Sequence, residues 1–256
     1  AELGDQATYS GWDFDHIWTL SGVTLPVMDL TRGEAPALEV SGTGAEDDPY
    51  IIVNEKQLIA LAQNVLPKTG KNYYELGSDI VLTAKNWTAI GGNGSVNFEG
   101  VFDGKGYQIS GLKISGQHDE DEGLFGYTTG TIKNLKVSGS VEGSSYAGIL
   151  AGRSTGTIEN CQVSGTVNAA GDHGGLVGYD EGTISNCIAD VTVTGNGNAG
   201  GLVGQSKGMI EKSGALGNVT GGSNSAGGLV GYNGATIRNC YAQGRAEGSG
   251  NNISAN

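Results

Sequence analysis

Carboxylates are the first residues in this chain that could do chemistry. Asp119, Glu120, Asp121 and Glu122 form an unbroken acidic run after His118, and Asp172 and Asp180 follow farther along. Oxygen ligands of this kind hold Ca2+, and two facing carboxyl groups at a set separation hydrolyse glycosidic bonds. Such runs are more often solvated loop faces, so the four residues of the run are a Ca2+ candidate and no more. Lyases of acidic polymers need a basic cleft, whereas the 14 Lys and Arg are few and scattered. Cys161, Cys187 and Cys240 are the potential thiol nucleophiles or metal ligands. Three cysteines cannot all pair within one chain, and no Cys or His spacing converges on a metal. His16, His118 and His173 read as surface residues. No Gly-x-Ser-x-Gly elbow and no His-Glu-x-x-His motif occurs, so no catalytic residue and no cofactor beyond Ca2+ is expected.

What must position these residues is a repeat. A Gly-apolar-apolar-Gly core recurs at Gly123–Gly126, Gly175–Gly178, Gly201–Gly204 and Gly228–Gly231, with Gly148-Ile149-Leu150-Ala151-Gly152 as a variant. The closing glycines 126, 152, 178, 204 and 231 are spaced by 26, 26, 26 and 27 residues. Six residues after each stands Ile132, Ile158, Ile184, Ile210 or Ile237. The extra residue falls between Gly221 and Ala226, where an insertion costs little. No stretch of the array has helical periodicity. A period near 26 with about three short strands predicts one turn of a single-stranded parallel β-helix, an all-β solenoid in which equivalent positions stack at about 4.8 Å.

Stacking gives each column a reading. Ile109, Ile132, Ile158, Ile184, Ile210 and Ile237 form an apolar ladder, with Ile109 assigned by matching Gln108–Ile114 to Thr131–Val137, 23 residues on. Asn134, Asn160, Asn186 and Asn239 share a turn column in which asparagine tolerates left-handed backbone, and Lys212 interrupts it. Cys161, Cys187 and Cys240 share an interior column with Leu112, Leu135 and Ser213, which makes them a ladder of reduced, inert thiols. Asn54, with Gln57 three residues on, starts an amphipathic run that Pro67 stops. It is a short N-terminal capping helix that covers the first coil.

The remaining composition narrows the partners. A formal charge of −13 argues against nucleic acid, and no 18-residue apolar run is present for membrane insertion. Residues 1–32 read as a closing segment of a preceding repeat unit and 33–48 as a linker. Residues 49–115 read as the capping helix and irregular opening coils, and 116–256 as repeats truncated at the C-terminus. Residues 1–30 are expected either to fold back on their own solenoid or to complete the open end of a neighbouring molecule, giving head-to-tail self-association.

The Gly-Leu-Val-Gly cores with Thr-Ile-x-Asn-Cys resemble the GLUG-motif repeats of bacterial cell-surface proteins, which also occur in non-catalytic regions of immunoglobulin A1 protease-type proteins. The lead-in, from Asp48-Pro49-Tyr50 through Trp87–Gly91 and Phe98–Gly104, is similar to the segment that precedes such arrays. Gly11-Trp12-Asp13-Phe14 is similar to the segment that closes them. The resemblance implies an extracellular, secreted or wall-attached module acting as a rigid stalk and adhesive surface, with a host or bacterial glycan or protein as partner. It carries over no catalytic residue. A polysaccharide-processing β-helix, or a substrate-presenting accessory domain of a secreted protease, is the alternative.

Overall fold

The computed structural model describes residues 39–248, except residues 65, 68–69, 93–95, 116–120 and 223–224. Outside that range it describes only backbone pairing. Trp18–Thr19 pairs antiparallel with Val27–Met28, and Ile253–Ser254 pairs with Ala226–Gly227. His16, His118, Asp119, Glu120, the Gly11–Phe14 signature and the proposed self-association segment lie outside the described residues. The chain divides into two units, Ala1–Glu39 and Val40–Asn256.

The second unit is the stack of parallel coils that the period predicts, and each regular coil contributes four strand segments rather than about three. Four parallel sheets result. The isoleucine sheet has eight strands, running from Tyr50–Ile52 and Tyr73–Leu76 through Val101–Asp103 and Thr131–Lys133 to Thr236–Arg238. A long-strand sheet holds Gln108–Ile114, Lys136–Gly143, Gln162–Ala169 and Ile188–Gly195. The Gly-x-x-Gly sheet is built from Phe125–Thr128, Ala151–Ser154, Val177–Asp180, Val203–Ser206 and Val230–Asn233. The fourth sheet consists of two-residue strands such as Tyr146–Ala147 and His173–Gly174.

Register is in file. Ile132 pairs with Ile158, Ile158 with Ile184, Ile184 with Ile210 and Ile210 with Ile237. The first four of these are fully buried. Each such side chain withdrawn from water contributes roughly 1.5–3 kcal/mol, so the file is a main source of cohesion between coils. The step of 26 holds at Gly195–Gly221 and becomes 27 at Ala199–Ala226, which brackets the inserted residue.

The opening coils obey a different count, and Ile109 is not a rung of this ladder. Phe102 lies under Ile132, with Tyr74 and Tyr50 below it, so aromatic rings fill the wider start of the column. Ile109 instead pairs with Val137 in the long-strand sheet and with Ile80 beneath. A bulge falls opposite Val137–Gly139, so Leu112 faces Gly139, not Leu135, and leaves the cysteine column as well. Gly111 at φ +77° supplies the backbone that this extra residue needs.

The capping helix spans Glu55–Ala62 and buries Leu58 and Leu61 completely. Asn54 Oδ1 accepts from the Gln57 amide at 3.0 Å, and Gln57 Oε1 accepts from the Val53 amide at 2.7 Å. The Glu55 carboxylate accepts from the Thr83 hydroxyl and the Thr83 and Ala84 amides, which holds its pKa below the usual range and ties the helix to the coil above. Residues 40–48 are not a free linker. Ser41 bridges to Ile51, the Tyr73 amide donates to the Gly44 carbonyl, and Val40 packs against the core.

Candidate functional site

Asn134, Asn160, Asn186, Lys212 and Asn239 all take left-handed backbone, with φ between 49° and 53°. Asparagine is the cheapest residue with a side chain in that conformation, and Lys212 keeps it at a higher cost. Asn160 Nδ2 donates to Asn134 Oδ1 at 3.2 Å, and Asn134 Nδ2 to Asp103 Oδ1 at 2.9 Å, linking three coils.

Next to that turn, each thiol folds back on the carbonyl two residues earlier. Cys161 Sγ donates to Glu159 O at 3.3 Å, Cys187 to Ser185 O at 3.2 Å and Cys240 to Arg238 O at 3.2 Å. Ser213 makes the same bond through its hydroxyl, to Glu211 O at 2.8 Å. All three cysteines are free; Cys161 and Cys187 are buried and Cys240 is partly exposed. The neighbouring Cys187 thiol and burial together push the Cys161 thiol well above its ordinary pKa, which removes the thiolate a nucleophile needs. A thiol reagent added to the folded protein is therefore expected to titrate Cys240 alone, with Cys161 and Cys187 reacting only in denaturant. Fast labelling of Cys161 in the native state would refute the buried file.

Among the described residues the acidic candidates do not converge. Asp121 and Glu122 are successive residues of one short strand, so their side chains leave opposite faces. Glu122 turns inward, is almost wholly buried and accepts from the Ser144 amide at 3.0 Å. Asp172 is half-buried and accepts from Asn198 Nδ2 at 2.7 Å; burial raises its pKa, opposed by that hydrogen bond. Asp180 is fully buried. Among the described residues no group of three His, Cys, Asp or Glu side chains could hold a metal ion. His173 is not a surface residue either. It sits in the interior file between Ala147 and Ala199, fully buried, with Nδ1 2.7 Å from the Gly171 carbonyl. The small alanines above and below make room for the ring, and burial lowers its pKa.

Two columns went unread in the sequence, although the period contains them. Two residues past each closing glycine lie Thr128, Ser154, Asp180, Ser206 and Asn233, which pair in succession. The first four are fully buried, so a polar thread runs inside the apolar wall. Asp180 accepts from the Gly182 amide at 3.1 Å and from Ser206 Oγ at 3.2 Å, and burial raises its pKa to about 6.

One residue past each closing glycine, on the same sheet, lie Tyr127, Arg153, Tyr179, Gln205 and Tyr232. The Arg153 guanidinium lies 4.7 Å from the Tyr127 ring centre and 5.4 Å from that of Tyr179. Tyr146 packs on Tyr179 from the neighbouring short sheet at 5.1 Å. The Tyr179 hydroxyl donates to Glu181 Oε1 at 2.6 Å and accepts from Lys207 Nζ at 2.7 Å, and Lys207 stands 3.7 Å from Glu181. This outward strip is the most chemically featured part of the wall.

Comparison with known proteins gives partial matches. Residues 222–246 match the GLUG motif. Over 124 residues the chain is 35% identical to a candidate Gly-rich membrane protein of Evansella cellulosilytica, covering 43% of this chain and 14% of that protein. Over 122 residues it is 35% identical to halomucin of Haloquadratum walsbyi, covering 43% of this chain and 1% of that protein. The chain thus spans only a small part of the curated relatives it matches. A crystal structure of a candidate immunoglobulin A1 protease from Bacteroides ovatus superposes with a TM-score of 0.66 at 26% identity, covering 78% of this chain and 77% of that one. Motif, register and structural likeness agree that the solenoid is a GLUG-motif repeat region.

Proposed function

We propose that this GLUG-motif repeat region is a non-catalytic, extracellular module, a stiff spacer whose outer wall makes the contacts. The observation that carries the reading is the unbroken parallel register from Phe102 through Ile237, which turns a repeating sequence into a continuous wall of repeated side chains. Solenoids of this kind present extended binding surfaces rather than enclosed pockets. Glu122, Asp172 and Asp180 are each bound to a neighbouring amide, and Glu122 and Asp180 are buried, which favours binding over turnover. Names among the relatives, a Gly-rich membrane protein and halomucin, support a cell-surface or secreted location.

The test is made on the parent protein in the cells that produce it. Antibody against the solenoid should label intact cells, and deletion of residues 40–248 should reduce attachment to glycan- or protein-coated surfaces at least tenfold. Labelling only after lysis, or undiminished attachment, would refute the reading. The structural likeness to a candidate protease favours a second reading, in which the wall presents substrate to a catalytic domain. In that case the deletion lowers proteolysis of large substrates and leaves attachment unchanged.

A further inference from the structure

We propose that the Tyr127–Arg153–Tyr179 file is a docking site for an acidic saccharide chain, with the Arg153 guanidinium receiving a sugar carboxylate. The inference rests on the surface-module reading and names the patch and the ligand chemistry. Arg153 is held between two tyrosine rings, yet it makes no ion pair with a described residue, and its Nε is buried without a hydrogen-bond partner. The nearby carboxylate of Glu181 is already engaged by the Tyr179 hydroxyl and Lys207. Asp172, next to the short strand that carries His173, is engaged by Asn198. Arg153 acts on Glu181 only through space, so a cation placed between two rings keeps its N–H groups for a ligand. Guanidinium receives a planar carboxylate through two parallel N–H bonds, and ring stacking sets the fork in advance so that little side-chain entropy is lost on binding.

The surroundings choose a saccharide over other anions. The chain as a whole carries −13, so a densely charged polymer such as nucleic acid meets strong long-range repulsion, whereas a sugar chain with a carboxylate on alternate residues meets less. Tyr146 packs on Tyr179, and Tyr232, 52% exposed, stands three coils from Arg153 along the same file; both carry a ring with a polar tip. The Tyr127 hydroxyl with Thr155 at 3.5 Å, together with Gln205, supplies groups for sugar hydroxyls. These side chains follow the axis at about 4.8 Å per coil, so an extended chain laid along the wall meets them in succession.

Calorimetric titration of the whole chain with hyaluronan and unsulfated chondroitin oligosaccharides, each beside its carboxyl-reduced counterpart and an oligoglutamate peptide, tests the assignment. At least one carboxylated saccharide should bind, tenfold or more above its reduced form and above the peptide. Arg153→Gln should abolish that binding and Arg153→Lys should lose most of it, with unchanged melting temperatures. Lys136→Gln, on the long-strand sheet, should change nothing. Equal binding of the reduced sugars, preference for the peptide, retention in folded Arg153→Gln, or no saccharide binding at all would each overturn the proposal. Antibody labelling of intact cells is read separately, so a surface-exposed module that fails these titrations loses the saccharide site alone.

Discussion

Alanine at Gly178 is expected to destabilise the solenoid by about 3 kcal/mol or more, at or beyond the upper end of ordinary overpacking costs. A β-carbon there would stand 2.4 Å from the Ala147 amide nitrogen and 2.8 Å from the carbonyl oxygens of Asp172 and Gly152. All three are backbone atoms of the neighbouring coil and short strand, so no side chain can swing aside. The closing glycine is where the Gly-x-x-Gly sheet crosses against the two-residue strands, and the same crossing recurs at Gly204, whose β-carbon would meet the His173 nitrogen at 2.3 Å. Gly234 is the matched control. Its β-carbon would meet Ser206 O at 3.4 Å and Lys207 Cγ at 3.6 Å, ordinary contact distances, so alanine there should stay within about 0.5 kcal/mol of the parent. Urea unfolding followed by circular dichroism separates the two. Equal midpoints for Gly178→Ala and Gly234→Ala would show that the closing glycine is not a packing requirement. Because each coil contacts only its neighbours, the Gly178 variant should also broaden the transition by decoupling the two ends.

That crossing is the reason so much of the fold was legible. Parallel, in-register stacking forces equivalent positions to solve the same steric problem, so glycine and isoleucine recur at a fixed interval and the period reads directly from them. Legibility fails where the coils stop being equivalent. From Phe102 to Ile132 the step is 30 residues rather than 26, and a bulge at Ser110–Gly111 shifts the long-strand register, so matching Gln108–Ile114 to Thr131–Val137 by local similarity placed Ile109 in the wrong file. His173 was misread because its neighbours in sequence are Asp172 and glycines, which look like a loop; only its neighbours in space, Ala147 and Ala199, show the vacancy it fills. The Thr128–Asn233 thread and the Tyr127–Tyr232 strip were missed for another reason. Their residue types vary from coil to coil, and a search keyed to identical residues passes over a column that conserves only hydrogen-bonding capacity or ring-and-cation stacking. Counting one and two places past each closing glycine recovers both.

The polar thread carries the second large effect. Replacing Asp180 by Asn is expected to stabilise the protein at pH 7.5 by up to about 3 kcal/mol, the linkage value of moving a carboxyl from 3.8 in the unfolded chain to about 6 in the folded one. A raised carboxyl pKa means that the folded chain binds the proton more tightly than the unfolded chain between these values. The stabilising protonated form is fully present below pH 4 and is lost as pH rises through 6, so at neutral pH a buried anion is retained at a cost. Asparagine keeps an oxygen for the Gly182 amide and the Ser206 hydroxyl, adds a donor in a file whose next coil but one already holds Asn233, and carries no charge. His173 works in the opposite sense. Its pKa is lowered by burial, so its contribution is present above pH 6.5 and is lost as acid protonates it. In the parent chain the Asp180 and His173 slopes oppose each other below about pH 6; Asp180→Asn removes the first, so the variant's stability relative to the parent should grow with pH up to about 6 and level off above it. Denaturant midpoints measured from pH 5 to 8 decide the matter. A variant less stable than the parent at pH 7.5, with an unchanged pH profile, would place an ordinary solvated carboxylate at this position.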